Sequence, residues 1–144
     1  MHVAVGAILR HPRFYIDAEI GVLKPKFLLV LAAPAQTDVV FRLLTSRHPE
    51  LRPEQPRCYH GAPYPGFYLG VPGGALDART WVDLRGMDDY DRADFERDLD
   101  RRLLEPQAPL AGLILREALE CAAAADDTTR QQEQLIRDAL ATLG

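Results

Sequence analysis

Lys24-Pro-Lys-Phe-Leu-Leu-Val-Leu-Ala32 and, after a short polar break, Asp38-Val-Val-Phe-Arg-Leu-Leu-Thr-Ser-Arg47 set the architecture of this chain. Each is an apolar, strand-like run with cationic or hydroxyl residues at one end. Paired in a sheet, such runs can build a phosphate-handling site on a small β-barrel. Phe27 to Leu31 is too short for a membrane span, and its aliphatic content between Pro25 and Pro34 predicts a buried central strand. Lys26 stands at the entrance of that strand.

Outward from this pair, Val3 to Leu9, Arg13 to Asp17, Gly66 to Gly70 and Arg79 to Leu84 carry strand composition, separated by Pro, Gly and Asp signals. With Lys26 to Ala33 and Val39 to Thr45 they predict five or six short, mainly antiparallel strands. That spacing suggests a small, strongly bent barrel, α+β in class once the C-terminal helices are added. Between Arg47 and Pro65, five prolines (Pro49, Pro53, Pro56, Pro63 and Pro65) cannot donate ladder hydrogen bonds and mark a long loop. Thr80-Trp-Val-Asp-Leu-Arg85 alternates, with Thr80, Val82 and Leu84 on one face and Trp81, Asp83 and Arg85 on the other.

The last third reads as helix. Leu110, Leu113, Ile114, Ala118 and Cys121 recur at helical spacing after Pro109, and Asp126 or Asp127 can cap a second helix carrying Leu135, Ile136, Ala139, Leu140 and Leu143. Met87 to Arg102 alternates Asp with Arg, and Tyr90, Phe95 and Leu99 form one helical face of a surface helix. Its acidic stretch Asp88 to Asp100 is also a candidate cover for a basic face. The expectation is one domain over residues 1–144, with strands and a proline-rich loop (47–65) in 1–86 and a mainly helical part in 87–144.

At 144 residues the chain is long enough to bury a core without metal or disulfide. No stretch approaches the ~20 apolar residues of a membrane helix, and Met-His-Val-Ala-Val lacks a signal-peptide layout, so a cytoplasmic location is expected. Cys58 and Cys121 form no CxxC pair and are expected as free thiols. The net charge of −4 is unevenly spread: residues 1–70 hold eight Lys or Arg against five Asp or Glu, and residues 71–144 nine against sixteen. Any polyanion docks on the N-terminal half, through few phosphates.

No nucleotide-loop, dinucleotide, nucleophile-elbow or zincin motif occurs. His11, His48, Cys58 and His60 match no zinc-finger or ribbon spacing, so no metal and no cofactor are expected. What remains is a set suited to phosphoryl transfer. RNA transesterification needs a proton acceptor for the 2′-hydroxyl, cations or donors on the phosphoryl oxygens, and a proton donor for the 5′-oxygen. Lys26, Thr45, Ser46 and Arg47 can supply donors, and His48 or His60 a group titrating near neutral pH. Asp83 can orient a cation, Arg85 can contact a phosphate, and Tyr59, Tyr64, Phe67 and Tyr68 offer rings for unpaired bases.

The layout of Gly6-Ala-Ile-Leu9, then Lys26-Phe-Leu-Leu-Val-Leu-Ala32, then a strand ending Leu44-Thr-Ser46 resembles the MazF/PemK/Kid family of toxin ribonucleases. In that family a Gly-x-Ile/Val strand start precedes an Arg-Pro-x-x-Val-Leu-Ser strand, and a later strand ends in Thr-Ser. The resemblance covers residues 6–85 loosely. It implies an SH3-like barrel, often a homodimer, that cuts single-stranded RNA without metal through a 2′,3′-cyclic phosphate and is neutralised by a cognate antitoxin. The family's catalytic Thr and Ser fall on Thr45 and Ser46, and its catalytic Arg on Lys26. Lysine keeps the charge but lacks the planar fork that grips phosphate bidentately. Ala18-Glu-Ile-Gly21 stands where the family often has Gly-Ser-Glu. The competing class is a non-catalytic barrel of the same shape that binds protein or RNA.

Overall fold

The computed structural model describes residues 4–16 and 23–143. Val3, Asp17 and the Ala18–Gly21 segment lie outside the described residues. Among the described residues, seven strands occur in chain order with three α-helices: β1 (Ile8–Ile16), β2 (Leu23–Ala32), β3 (Val40–Thr45), β4 (Cys58–Tyr59), β5 (Gly66–Gly70), β6 (Thr80–Asp83), α1 (Arg92–Asp100), β7 (Glu105–Pro106), α2 (Gly112–Ala124) and α3 (Arg130–Thr142). The strands form one antiparallel sheet in the order β4-β5-β6-β3-β2-β1-β7. The α+β class holds, but the ladder is open between β4 and β7 rather than closed into a barrel.

Helices lie on both faces, which accounts for the continuous apolar run of β2. Leu28, Leu29, Val30 and Leu31 are all fully buried, and alternate residues serve opposite cores. Leu29 and Leu31, with Val40, Leu44, Phe67, Val82 and Leu84, pack under α2 and α3 through Leu115, Ala118, Leu119, Ala122 and Ile136. Leu28 and Val30, with Leu9, Val39 and Phe41, pack under α1 through Phe95 and Leu99, joined by Leu104. Burying one such side chain stabilises by about 1.5–3 kcal/mol.

Several expected boundaries shift. The two predicted N-terminal strands are one strand with an irregularity between His11 and Tyr15. The proline-rich loop contains a 3₁₀ turn, Pro49–Leu51, and the short β4. Helix α2 begins after Ala111 rather than at Pro109, so Leu115 and Leu119 face the core while Leu113 is left exposed. Helix α3 is capped by Thr129, not by Asp126 or Asp127. The Thr129 hydroxyl accepts from Gln132 N and the Gln132 side chain accepts from Thr129 N, a capping box.

The cysteines also differ from expectation. Cys58 and Cys121 are not free thiols but a disulfide joining β4 to α2, with Cα atoms 5.7 Å apart. They are 63 residues apart in sequence, so nothing local marks the pairing. It follows from the outer ladder, where Cys58 opposes Phe67, whose ring lies in the core beneath α2.

Candidate functional site

Register brings the two opening runs together. Phe27 pairs with Leu44, so the start of β2 lies beside the end of β3, and Lys26 and Thr45 share a sheet face. Thr45 pairs in turn with Trp81, which places Trp81 and Asp83 on that face too. Helix α1 covers the other end of this face, over Leu28, Val30 and Phe41. The uncovered end is a cavity of about 390 Å³ lined by Lys26, Leu43, Thr45, Arg47, His48, Arg52, Tyr64, Asp83 and Arg85.

The chain after β3 supplies the cavity's far wall. His48 adopts a left-handed backbone (φ 53°), which turns the chain into the Pro49–Leu51 3₁₀ turn. Leu51 N then donates to His48 O at 3.0 Å, and the turn delivers Arg52 back against the sheet. Arg52 Nε donates to Arg47 O at 2.7 Å, and its Nη2 donates to the Tyr64 hydroxyl. Trp81, fully buried, holds the following segment by donating Nε1–H to Pro53 O at 2.8 Å.

Electrostatically the cavity is cationic around one carboxylate. Asp83 is engaged with Arg85, accepting from Nη2 at 2.7 Å, from Nε at 3.1 Å and from the Arg85 backbone N at 3.0 Å. That hydrogen bonding holds the Arg85 guanidinium above its ordinary pKa. Arg85 lies over the Tyr64 ring at 3.8 Å and Arg52 over it at 4.4 Å. Lys26 titrates below its ordinary value, first because burial disfavours the ammonium, then because Arg47, Arg85 and Arg52 repel it, against an opposing pull from Asp83. Arg52 is only 6% exposed, yet among the described residues its Nη1 has no hydrogen-bond partner. Leaving a charged donor buried and unsatisfied costs on the order of 1–3 kcal/mol, and an anion entering the cavity would relieve that cost. Thr45 Oγ1 accepts from Arg47 N at 3.2 Å, fixing the strand exit.

Seven of the ten residues singled out from the sequence line this cavity: Lys26, Thr45, Arg47, His48, Tyr64, Asp83 and Arg85. Three do not. Ser46 lines a separate shallow depression with Phe27 and Ala75 to Ala78. His60 is exposed beside the disulfide, its Nε2 3.5 Å from Cys58 Sγ. Phe67 is a core residue, 1% exposed, and can stack no base. Tyr59 is likewise buried, and Gly66 is needed beneath it, since a Cβ there would meet the Tyr59 hydroxyl at 2.6 Å. No residue from Asp88 to Asp100 lines the cavity, so the acidic stretch is not its cover.

One lining residue, Arg52, has no sequence signal of its own, and His11 stands next to the site without lining it. Arg52 sits inside the proline-rich loop, and only the 3₁₀ turn aims it inward. His11 pairs directly with Lys26 across the β1–β2 ladder, which places both on one face. Comparison of the chain with protein-family models, curated proteins and solved structures returns no match.

Proposed function

We propose that the chain is a MazF/PemK-like endoribonuclease that cleaves single-stranded RNA without metal. The observation that carries this is the convergence of Lys26, Arg47, Arg52 and Arg85 with the Thr45 hydroxyl around one cavity, on a chain of net charge −4. In this mechanism a scissile phosphate enters with its oxygens on Arg52 Nη1 and Arg47, and Thr45 donates a further hydrogen bond. His48 takes the 2′-hydroxyl proton, the 2′-oxygen attacks phosphorus, and Lys26 delivers a proton to the departing 5′-oxygen. The products are a 2′,3′-cyclic phosphate and a 5′-hydroxyl. Tyr64 positions Arg52 and Arg85 rather than stacking a base, because both guanidinium groups already lie over its ring.

The same proposal includes a homodimer, a cognate antitoxin and a cytoplasmic location. Among the described residues no helix is long and apolar enough to cross a membrane. An SH3-like relationship rests on the motif resemblance, and the open strand order is the departure it has to accommodate.

Incubation of the protein with a long single-stranded RNA in EDTA tests this reading. The expected result is cleavage leaving 5′-hydroxyl ends, abolished in folded Lys26→Ala and Thr45→Val variants. Loss in His48→Asn but not in His11→Asn assigns the base. A second reading, an RNA- or protein-binding module without catalysis, is favoured by one observation: Ser46, the partner of Thr45 in the resembled motif, lies outside the cavity. RNA that binds but stays intact across varied sequences decides for it.

A further inference from the structure

A second cluster of reactive side chains lies apart from the cationic cavity, where β4 meets α2. Cys58 Sγ, Cys121 Sγ and a ring nitrogen of His60 all lie within 4.8 Å of one another. Cys121 is buried, Cys58 half-buried and His60 exposed, so the group runs from the core to the surface. Beside it a cavity of about 570 Å³ is lined by both cysteines together with Glu117 and Glu120. Two sulfurs and one imidazole within a few ångströms form the donor set of a tetrahedral zinc site, and the open side leaves a fourth position for water or a neighbouring carboxylate.

We propose that, once the Cys58–Cys121 disulfide is reduced, Cys58, His60 and Cys121 bind a divalent soft metal ion of the zinc class. The two states exclude each other, because the sulfurs either bond to one another or donate to the metal. A dithiol of the thioredoxin class supplies the two electrons. Its thiolate attacks the more accessible Cys58 sulfur and expels Cys121 as a thiolate, and its second thiolate then displaces Cys58. The disulfide gains two electrons, and the reductant leaves as its own disulfide. The metal then binds both sulfurs as thiolates and displaces their two protons. His60 completes the set at its exposed nitrogen. Disulfide and metal thus make the same connection between β4 and α2, one in an oxidising and the other in a reducing environment.

The test uses the full chain reduced with a phosphine, the phosphine removed, and Zn²⁺ or Co²⁺ added anaerobically. Native mass spectrometry is expected to show one Zn²⁺ bound with loss of two protons, and Co²⁺ to give thiolate-to-metal charge-transfer absorption. The oxidised chain is expected to bind neither. His60→Ala, exposed and therefore tolerated by the fold, is expected to weaken Zn²⁺ at least tenfold, as loss of even an outer-shell partner does to metal affinity. Cys58→Ser is expected to remove the charge-transfer band. A reduced wild-type chain that takes up no metal, an oxidised chain that binds equally well, or an unchanged affinity in His60→Ala would each overturn the proposal.

Discussion

Lys26 illustrates how one residue is made both useful and unfavourable. Burial and the repulsion of Arg47, Arg85 and Arg52 put its pKa below the ordinary 10.5, so the folded chain holds this proton less tightly than the unfolded chain does. Stability therefore rises with pH through the window between the lowered value and 10.5. Below that window the destabilising charge is fully present. Lys26→Met is expected to raise the urea midpoint at neutral pH, and its advantage over wild type to shrink as pH climbs through the window, in denaturation series at several pH values. The same substitution is expected to weaken binding of a short single-stranded RNA on the order of tenfold to a hundredfold, as loss of a charge-assisted hydrogen bond worth ~1.5–3 kcal/mol requires. RNA affinity of the wild type is expected to fall on the alkaline side below pH 10.5, and Lys26→Arg to remove that fall, because the guanidinium stays charged there.

Elements held together by buried polar groups give a sharper test than elements held by apolar area. Arg42 is 1% exposed on the α3 side of β3 and, among the described residues, has no carboxylate in ion-pair contact; its Nη1 donates to Phe41 O at 2.7 Å and its Nη2 to Gln132 Oε1 at 3.1 Å. Burial holds its pKa below the ordinary value, with Asp89 the largest opposing influence. Gln132, at the third position of α3, also donates to Asp89 Oδ1 at 2.8 Å and to Met87 O at 3.1 Å. One amide thus ties β3, α3 and the segment before α1. Gln132→Leu is expected to cost about 1–3 kcal/mol in urea unfolding by stripping a partner from a buried guanidinium, and Arg42→Met combined with Gln132→Leu to cost clearly less than the sum of the single changes. The apolar and turn signals make β2, β3, β5, β6 and the three helical segments legible in the sequence, β2 as a continuous apolar run bounded by prolines and the helices by their local period. The Gln132 bridge and the inward turn of Arg52 are not legible, because their partners lie on other segments, whereas the Thr129 cap is local: Thr129 and Gln132 form the Thr-x-x-Gln signature of a capping box, and the neighbouring Asp126 and Asp127 compete with it as cap candidates. The β4 strand escaped for a related reason: two residues carry no period, and only its ladder with Phe67 and Gly66 defines it. Lys26 and Thr45 meet at one cavity because composition marks the ends of their strands, whereas Ser46 and Phe67 lie away from it, Ser46 in a separate depression and Phe67 in the core.

The whole molecule places a local cationic cavity on an acidic chain, so under the proposed function RNA affinity is expected to draw on few phosphates. With Arg85 engaged by Asp83, contacts to about two or three phosphates predict a slope of log K against log salt of roughly −1.5 to −2 for single strands, measurable by fluorescence anisotropy. The disulfide is expected to govern how firmly the cavity's far wall is held. It closes a loop whose ends are 63 residues apart, spanning β5, β6, α1, β7 and most of α2. The chain-entropy account assigns such a cross-link about 4 kcal/mol, and measured losses run about 2–5 kcal/mol. Reduction without metal is expected to lower unfolding free energy by that order in urea titration. An effect confined to the unfolded chain would leave native-state exchange around the cavity unchanged. Here β4 has two register pairs with β5 and lies between Arg52 and Tyr64, both of which line the cavity. Amide hydrogen exchange from Arg52 to Tyr64 is therefore expected to quicken on reduction under native conditions, while the β2–β3 core, buried on both faces, keeps its protection relative to the new global stability. Unchanged exchange in that segment, with the predicted global loss still present, would locate the whole effect of the cross-link in the unfolded chain and leave the cavity wall to the Trp81–Pro53 and Arg52–Arg47 hydrogen bonds.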